Sequence, residues 1–178
     1  MSARRRVYRY GGPAELRPDA GTGPDVNRVG SAAEFEAWAA ARPAAELDEP
    51  FTYVVGTDGA LRLAPRRSEH VACAGGDAVR SAGEITFARR AGHWTVTDVS
   101  NHSTGYCPDV TSWPAVAEAL ERAGLAHPGG FTHAVVFRRC PACQERGIVH
   151  EGEFVCVFCG GELPEAWNVE PPGYGRLP

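Results

Sequence analysis

Two segments of the chain repeat apolar residues at the spacing of an α-helix. The first follows a capping box of Ser31 and Glu34, and its pattern ends before Pro43. This pattern predicts a helix over residues 32–42.

The second helical segment begins near Ser112, which we expect to cap it, with Pro114 in the first turn where proline is tolerated. Gly124 ends the helix. Its apolar stripe consists of Trp113, Val116 and Leu120.

Short runs of β-branched and aromatic residues predict strands. Asp58 and Gly59 between two such runs predict a hairpin. In the run 78–87, we expect Val79, Ile85 and Phe87 to share one face. The predicted strands cover residues 51–56, 60–63, 70–74, 78–87, 94–99 and 132–137, with a short edge strand at 7–10.

The overall composition is that of an ordinary soluble domain. Of the 178 residues, 43% are hydrophobic and 22% are charged, and a chain of this length can bury a self-sufficient core. No apolar run approaches the roughly 18 residues of a membrane span, and the first residues lack the apolar stretch of a secretory signal. We therefore expect a cytoplasmic protein without a membrane partner.

The charged residues exclude several functions. All 18 basic residues are arginines, which excludes a Schiff-base lysine, a phosphate-loop lysine and a Ser–Lys dyad. The net charge is −4, whereas a nucleic-acid-binding protein needs a concentrated basic face. A nucleic acid is therefore not the expected partner.

Four of the six cysteines form two C-x2-C pairs separated by twelve residues: Cys140 with Cys143, and Cys156 with Cys159. Each pair offers two thiolates from one tight turn, and two pairs complete the tetrahedral shell of Zn²⁺. The β-prone residues between the pairs predict a zinc ribbon. Disulfides, free thiols and a redox-active pair are the alternatives, but nothing marks the chain as secreted. Because a four-thiolate site is closed, we expect a structural zinc ion.

The predicted fold class is α+β: an antiparallel β-sheet domain with two helices and a C-terminal zinc ribbon. We expect an irregular N-terminal segment over 1–30, an α+β core over 31–137, the ribbon over 138–168 and a flexible tail over 169–178. Acidic residues outnumber arginines in the ribbon, so we expect it to contact its own sheet or a protein partner.

A second candidate site involves polar residues at 70, 84 and in the loop 100–108. We expect this loop to close over a cleft that contains His70 and Glu84, with a partner there for the Tyr106 hydroxyl. Each residue also has a structural interpretation: a solvent-facing Glu84, a structural His70, and a self-bonded turn at 100–108. The candidate catalytic or binding residues are His70, Glu84, His102 and Tyr106, accompanied by Asn101, Ser103 and Cys107.

The two remaining cysteines are weaker candidates. Cys107 lies near His102 in the sequence, which allows a thiol nucleophile, but no third orienting residue is evident. We expect Cys73 to be a small buried apolar residue.

The stretch 70–108 resembles the core of plant IQ-motif calmodulin-binding proteins and of bacterial relatives, whose pattern is HSS, a Gly-rich turn, AAG and then SGHYxP. The matching residues are 70–76, 82–83 and 99–108. The motif histidine is missing or displaced to His102, and there is no IQ helix, so calmodulin binding does not carry over. The whole chain resembles uncharacterised actinobacterial zinc-ribbon proteins. The resemblance implies a shared β-rich fold and a shared pocket around His70 and Tyr106.

Two functional hypotheses follow. The first is a binding or adaptor module whose β-rich domain recognises a protein or a small ligand and is stabilised by the ribbon. The second is an enzyme, a group transferase or hydrolase that uses the polar cleft. An ADP-ribosyltransferase-like version would need the order His, Tyr, Glu, whereas this chain has His, Glu, Tyr. The sequence shows no phosphate loop, dinucleotide motif, serine elbow or HExxH, which favours the binding module.

Overall fold

The centre of the fold is a five-stranded antiparallel sheet, seen in a computed structural model that describes residues 6–19 and 21–171. Its strands are β1 (Asn27–Val29), β2 (Phe51–Gly56), β3 (Leu61–Pro65), β4 (Val79–Arg90) and β5 (His93–Val99). They lie in the order β1-β3-β2-β4-β5. With the helices described next, this sheet confirms the predicted α+β class.

Four α-helices accompany the sheet: α1 (Ala32–Ala40), α2 (Ala44–Leu47), α3 (His70–Cys73) and α4 (Trp113–Arg122). The Ser31 hydroxyl accepts a hydrogen bond from the Glu34 N–H at 3.2 Å, which confirms the predicted cap of α1. The Glu34 carboxylate in turn accepts from Gly30. None of the helices described is both long and apolar enough to cross a membrane.

The hairpin at Asp58 and Gly59 is confirmed between β2 and β3. Gly59 has a φ of +79°, a conformation that glycine adopts without strain. The Asp58 carboxylate accepts hydrogen bonds from the guanidinium groups of Arg62 and Arg28 and from the Ala60 N–H. These partners, Arg62 above all, lower the pKa of Asp58 far below its ordinary value.

Both faces of the sheet are covered. Helices α1 and α4 pack on one face, where Phe35, Trp38 and Leu120 meet Tyr53 and Phe87 in the larger apolar cluster. On the other face, α3 and the segment around Tyr8 form a second cluster. Strand β2 is buried along its whole length for this reason, as expected of a strand between two covered faces.

Residues 70–74 were expected to form a strand, but residues 70–73 form helix α3. The Cys73 and Ala74 N–H groups donate to the carbonyls of Glu69 and His70, at 3.0 and 2.9 Å. This segment crosses the face of the sheet between β3 and β4, and β3 already has β1 and β2 on its two edges. Because the segment does not pair with β3, its backbone groups are satisfied within a helical turn.

The expected common face of Val79, Ile85 and Phe87 is also wrong. Ile85 and Phe87 lie in the larger cluster, where Phe87 contacts Phe35 of α1, whereas Val79 lies in the cluster on the opposite face. The register between β2 and β4 shifts next to Gly56, so one extra residue of β4 reverses the alternation.

The cap of the second helix differs from the prediction. The Ser112 hydroxyl forms no cap bond and is hydrogen-bonded to the Ser81 hydroxyl at 2.9 Å. The Asp109 carboxylate instead accepts from the Val110 N–H at 2.9 Å, at the start of a 3₁₀ turn that leads into α4. Gly124 ends α4 with a φ of +71°, as predicted.

The predicted strand 132–137 is mostly irregular, because its polar groups pair with loop and side-chain partners. Only Phe137 belongs to a strand, β6 (Phe137–Arg139), which pairs with β7 (Arg146–Ile148) in a separate two-stranded sheet. The Thr132 N–H donates to the Val99 carbonyl, and the Val135 N–H donates to the Asn101 side chain.

The chain that follows the ribbon packs back on the core. The Trp167 ring contacts Tyr8 edge to face with centroids 5.3 Å apart, and its Nε1–H donates to the Cys107 carbonyl at 2.8 Å. Arg9 and Glu170 form an ion pair at 3.1 Å. Val169, in the predicted flexible tail, is buried, and residues 172–178 of that tail lie outside the described residues.

The segment 1–30 also contains more order than expected. Strand β1 lies within it, and Tyr8 exchanges two backbone hydrogen bonds with Val79, at 2.7 and 2.9 Å. The edge strand expected at 7–10 is therefore reduced to a single bridge at Tyr8. Residues 1–5 and 20 are outside the described ranges.

Candidate metal centre and acidic cavity

The two cysteine pairs form matching knuckles at the end of the chain. In the first, the Cys140 carbonyl accepts from Gln144 and its N–H donates to Glu145, both at 2.9 Å. In the second, Cys156 makes the equivalent bonds with Gly160 and Gly161, both at 2.8 Å. Each knuckle therefore holds its two sulfurs on one side of a tight turn.

The four sulfur atoms are positioned to bind a metal ion. All lie within 4.8 Å of one another, and the Cys140–Cys159 and Cys143–Cys156 sulfur pairs are each 3.6 Å apart. A tetrahedral site with metal–sulfur bonds of about 2.3 Å has sulfur–sulfur edges of about 3.8 Å. The observed cluster fits this size without rearrangement of the knuckles.

Backbone groups prepare this cluster for a cation. The N–H groups of Cys143 and Ala142 hydrogen-bond to the Cys140 sulfur and lower the pKa of its thiol to about 7. At Cys143, the Glu145 N–H acts in the same direction, but burial and the other sulfurs raise the pKa to about 12. Four thiolates this close repel one another, so full ionisation requires a bound cation.

The sulfurs also fill every position of a tetrahedral shell. Cys140 and Cys156 are buried, Cys143 is half-buried and Cys159 is exposed. A metal ion held by four thiolates has no open position for a substrate. The arrangement therefore suits a structural metal.

A cavity of about 410 Å³ opens beside the middle of β4 and the last residues of β5. We call it the acidic cavity, because two carboxylates, those of Glu84 and Asp98, line it, whereas no arginine does. Two imidazoles, His102 and His133, also line it. The remaining lining residues are Pro50, Thr86, Val99, Ser100 and Val135.

Strand β4 and the loop 100–108 bring Glu84 and His102 into this cavity. The Glu84 N–H donates to the Ser100 hydroxyl at 3.1 Å, and the His102 N–H donates to the same oxygen at 3.2 Å. Both side chains are exposed. Among the described residues, none donates a hydrogen bond to the Glu84 carboxylate.

His70 lies near these two residues but lines a different cavity. Its Nε2–H donates to the Gly83 carbonyl at 2.9 Å, which fixes the neutral tautomer that carries the Nε2 proton. Burial lowers the pKa of His70, although the charge of Glu84 opposes this effect. The small cavity beside His70 is lined on its other sides by Tyr10, Glu69 and Arg146, among others.

Tyr106 is not part of the acidic cavity. Its hydroxyl donates to the Asp77 carbonyl at 2.6 Å, and its ring packs on Tyr10 with centroids 5.6 Å apart. The expected partner was a Glu or His side chain, but a backbone carbonyl fills this role. Burial raises the pKa of Tyr106 above its ordinary value, so the hydroxyl stays protonated.

Asn101 has a structural importance that the sequence did not indicate. Its side-chain amide donates to the carbonyls of Pro108 and Val135, at 2.9 and 2.7 Å, and accepts from the Val135 N–H at 2.7 Å. It is fully buried. Asn101 therefore holds the loop 100–108 against the segment that enters the ribbon.

The two other cysteines are buried thiols. Burial raises the pKa of Cys73 to about 12 and that of Cys107 to about 11. The Cys107 thiol donates to the Thr104 carbonyl at 3.2 Å, and no described imidazole is hydrogen-bonded to it. Both are protonated at neutral pH, so neither has the thiolate character of a nucleophile.

Comparison with known proteins finds no matching family model, no matching curated protein and no matching solved structure.

Proposed function

We propose that this protein is a binding module whose ribbon is held by a structural Zn²⁺ ion and whose sheet domain binds a small cationic ligand. The four-thiolate set supports zinc, since soft thiolates in tetrahedral geometry are its usual structural ligands. The single observation that supports the ligand class is the pair of carboxylates, Glu84 and Asp98, in the acidic cavity.

The surroundings of the two carboxylates favour a ligand with an apolar body. Pro50, Val99 and Val135 give the acidic cavity apolar walls, and its volume of about 410 Å³ lies within the usual range of roughly 300–1,000 Å³ for ligand sites. The Glu84 carboxylate has no described hydrogen-bond donor. A ligand cation can therefore approach it without displacing a protein partner.

The test is the binding of benzamidine, a flat aromatic cation, to the zinc-loaded protein. Glu84→Gln removes the charge and keeps the shape, so we expect its dissociation constant to rise roughly three- to tenfold, as for a charge-assisted hydrogen bond at a partly solvated site. The melting temperature should not change. Calorimetry measures the affinity.

Glu36→Gln, on the exposed side of α1, is the matched control and should bind benzamidine like the wild-type protein. The ligand class is wrong if the wild-type protein does not bind benzamidine, or if Glu84→Gln binds it equally well. A loss of stability in Glu84→Gln would instead assign Glu84 to a structural network.

An enzyme is the second candidate, favoured by one observation: a carboxylate, Glu84, and an imidazole, His102, line the same cavity. Such a pair can transfer protons in a hydrolysis or group transfer. A cationic ester, benzoylcholine, separates the two functions. A hydrolase would release benzoate, and both Glu84→Gln and His102→Gln would lose this activity, whereas a binding module would show no turnover.

A further inference from the structure

A second cavity, of about 400 Å³, lies between the loop 100–108 and the ribbon. We call it the ribbon cavity. The loop contributes Thr104 and Cys107, and the strand pair β6–β7 contributes Phe137, Arg146 and Ile148. The second cysteine knuckle completes the wall. We propose that the ribbon cavity binds a small carboxylate whose body is apolar.

The apolar part of the wall is unusually exposed. Val157 and Phe158 are each 62% exposed, although both are large and apolar, and they line the cavity opposite the buried Phe137. The Phe158 ring lies over Gly147 in β7, close enough that a Cβ there would touch it at 3.5 Å. An apolar ligand body would cover this surface and remove it from water.

The charged residues of the wall determine the sign of the charge that a ligand should carry. Arg146 is half-buried and also borders the cavity beside His70. Among the described residues its guanidinium has no ion-pair partner, and it donates a hydrogen bond to the Cys107 sulfur at 3.8 Å. A guanidinium presents two parallel N–H donors that match the two oxygens of a carboxylate. Glu145 also lines the cavity but is exposed, so water screens its charge more than that of Arg146.

The ribbon cavity and the acidic cavity occupy different sides of the loop 100–108. His102 lines the acidic cavity, whereas Thr104 and Cys107 line the ribbon cavity. The two cavities should therefore select ligands of opposite charge. This inference does not depend on the cationic ligand proposed above.

The experiment compares two probes on the zinc-loaded full chain: 4-phenylbutyrate, and 4-phenylbutan-1-ol as its neutral match. We expect the carboxylate to bind more tightly than the alcohol. Arg146→Met should weaken 4-phenylbutyrate roughly tenfold or more, as for loss of a bidentate charged contact, and leave the alcohol within about twofold. The affinity of Arg146→Lys for 4-phenylbutyrate should lie between those of the wild-type protein and Arg146→Met, because lysine keeps the charge but lacks the paired donors.

Three further variants make the result decisive. Val157→Ser should weaken the binding of both probes. Because the Val157 side chain is exposed, we do not expect this substitution to unfold the protein. Arg67→Met, at an exposed arginine outside both cavities, should change neither. Glu84→Gln should leave 4-phenylbutyrate binding unchanged, so the proposals for the two cavities are tested independently. Equal affinity for the two probes, no binding of either, or an unaffected Arg146→Met would overturn the proposal.

Discussion

At the scale of single residues, Asn101 shows how one buried amide can fix two loops. In Asn101→Ala, two carbonyls and one N–H lose their partner in a site that excludes water. We expect the free energy of unfolding to fall by about 3 kcal/mol or more, since three groups lose their partner and each unpaired buried group costs roughly 1–3 kcal/mol. Urea denaturation measures the change.

Asn27→Ala is the control for this substitution, because Asn27 donates only to the exposed Asp25 carbonyl. It should change the stability by less than about 0.5 kcal/mol. A loss below about 1 kcal/mol in Asn101→Ala would show that water replaces the amide.

His70 predicts how stability depends on pH. Burial lowers its pKa below the ordinary 6.5, so the unfolded chain takes up this proton at a higher pH than the folded protein does. The folded state is therefore destabilised as the pH falls through about 6.5, and the contribution of His70 is complete above that pH. His70→Gln, which keeps a donor for the Gly83 carbonyl, should lose less stability between about pH 7.5 and 5.

Urea denaturation at several pH values compares His70→Gln with the wild-type protein and with His93→Gln, which alters an exposed histidine in β5. The His93→Gln curve should run parallel to that of the wild-type protein. If the His70→Gln curve is also parallel, the folded and unfolded chains bind this proton equally and the burial argument is wrong.

At the scale of elements, the cysteine knuckles were predictable, because the chemistry of four sulfurs is fixed by the C-x2-C spacing itself. Helix α1 was predictable for a similar reason: its cap and its apolar spacing agree. Helix α3 was not, since its short apolar run is typical of a strand, yet it lies on a face of the sheet and pairs its backbone groups within a helical turn. The conformation of this segment depends on where it lies in the fold, which the local sequence does not specify.

The ribbon itself carries a prediction about metal removal. Cys140→Ser should lose most of the one zinc equivalent that we expect per chain and lower the free energy of unfolding by at least about 2 kcal/mol, or roughly 4–8 °C in Tm. The reason is that metal binding and ribbon folding are coupled. Elemental analysis and calorimetric melting measure both quantities.

Ala142→Ser, between the two ligands of the first knuckle, is the matched control and should keep both the metal and the Tm. An unchanged Tm in Cys140→Ser would contradict a structural metal. Less than about half an equivalent of zinc in metal-replete wild-type protein would contradict the zinc assignment.

At the scale of the whole molecule, the sequence predicted the α+β class and the ribbon but not how the candidate site assembles. Glu84 and His102 line the acidic cavity. Tyr106 does not line it, and its hydroxyl donates to the Asp77 carbonyl instead. Gly83 also illustrates the difficulty, because a Cβ at this position would collide with the Ser100 carbonyl. Such a requirement depends on contact between distant segments, so spacing alone does not reveal it.

The contact between Tyr8 and Trp167 has a consequence for biosynthesis. All five strands of the sheet have been translated by Val99. Trp167, whose ring packs on Tyr8, is translated much later, and so is Glu170, which pairs with Arg9 from 161 positions further along the chain. A nascent chain can therefore pair its strands early, as N-terminal units do during translation. The flank of the sheet near Tyr8 stays uncovered until Trp167 has left the ribosome, so a chain that stalls before this residue would expose that apolar surface to chaperones.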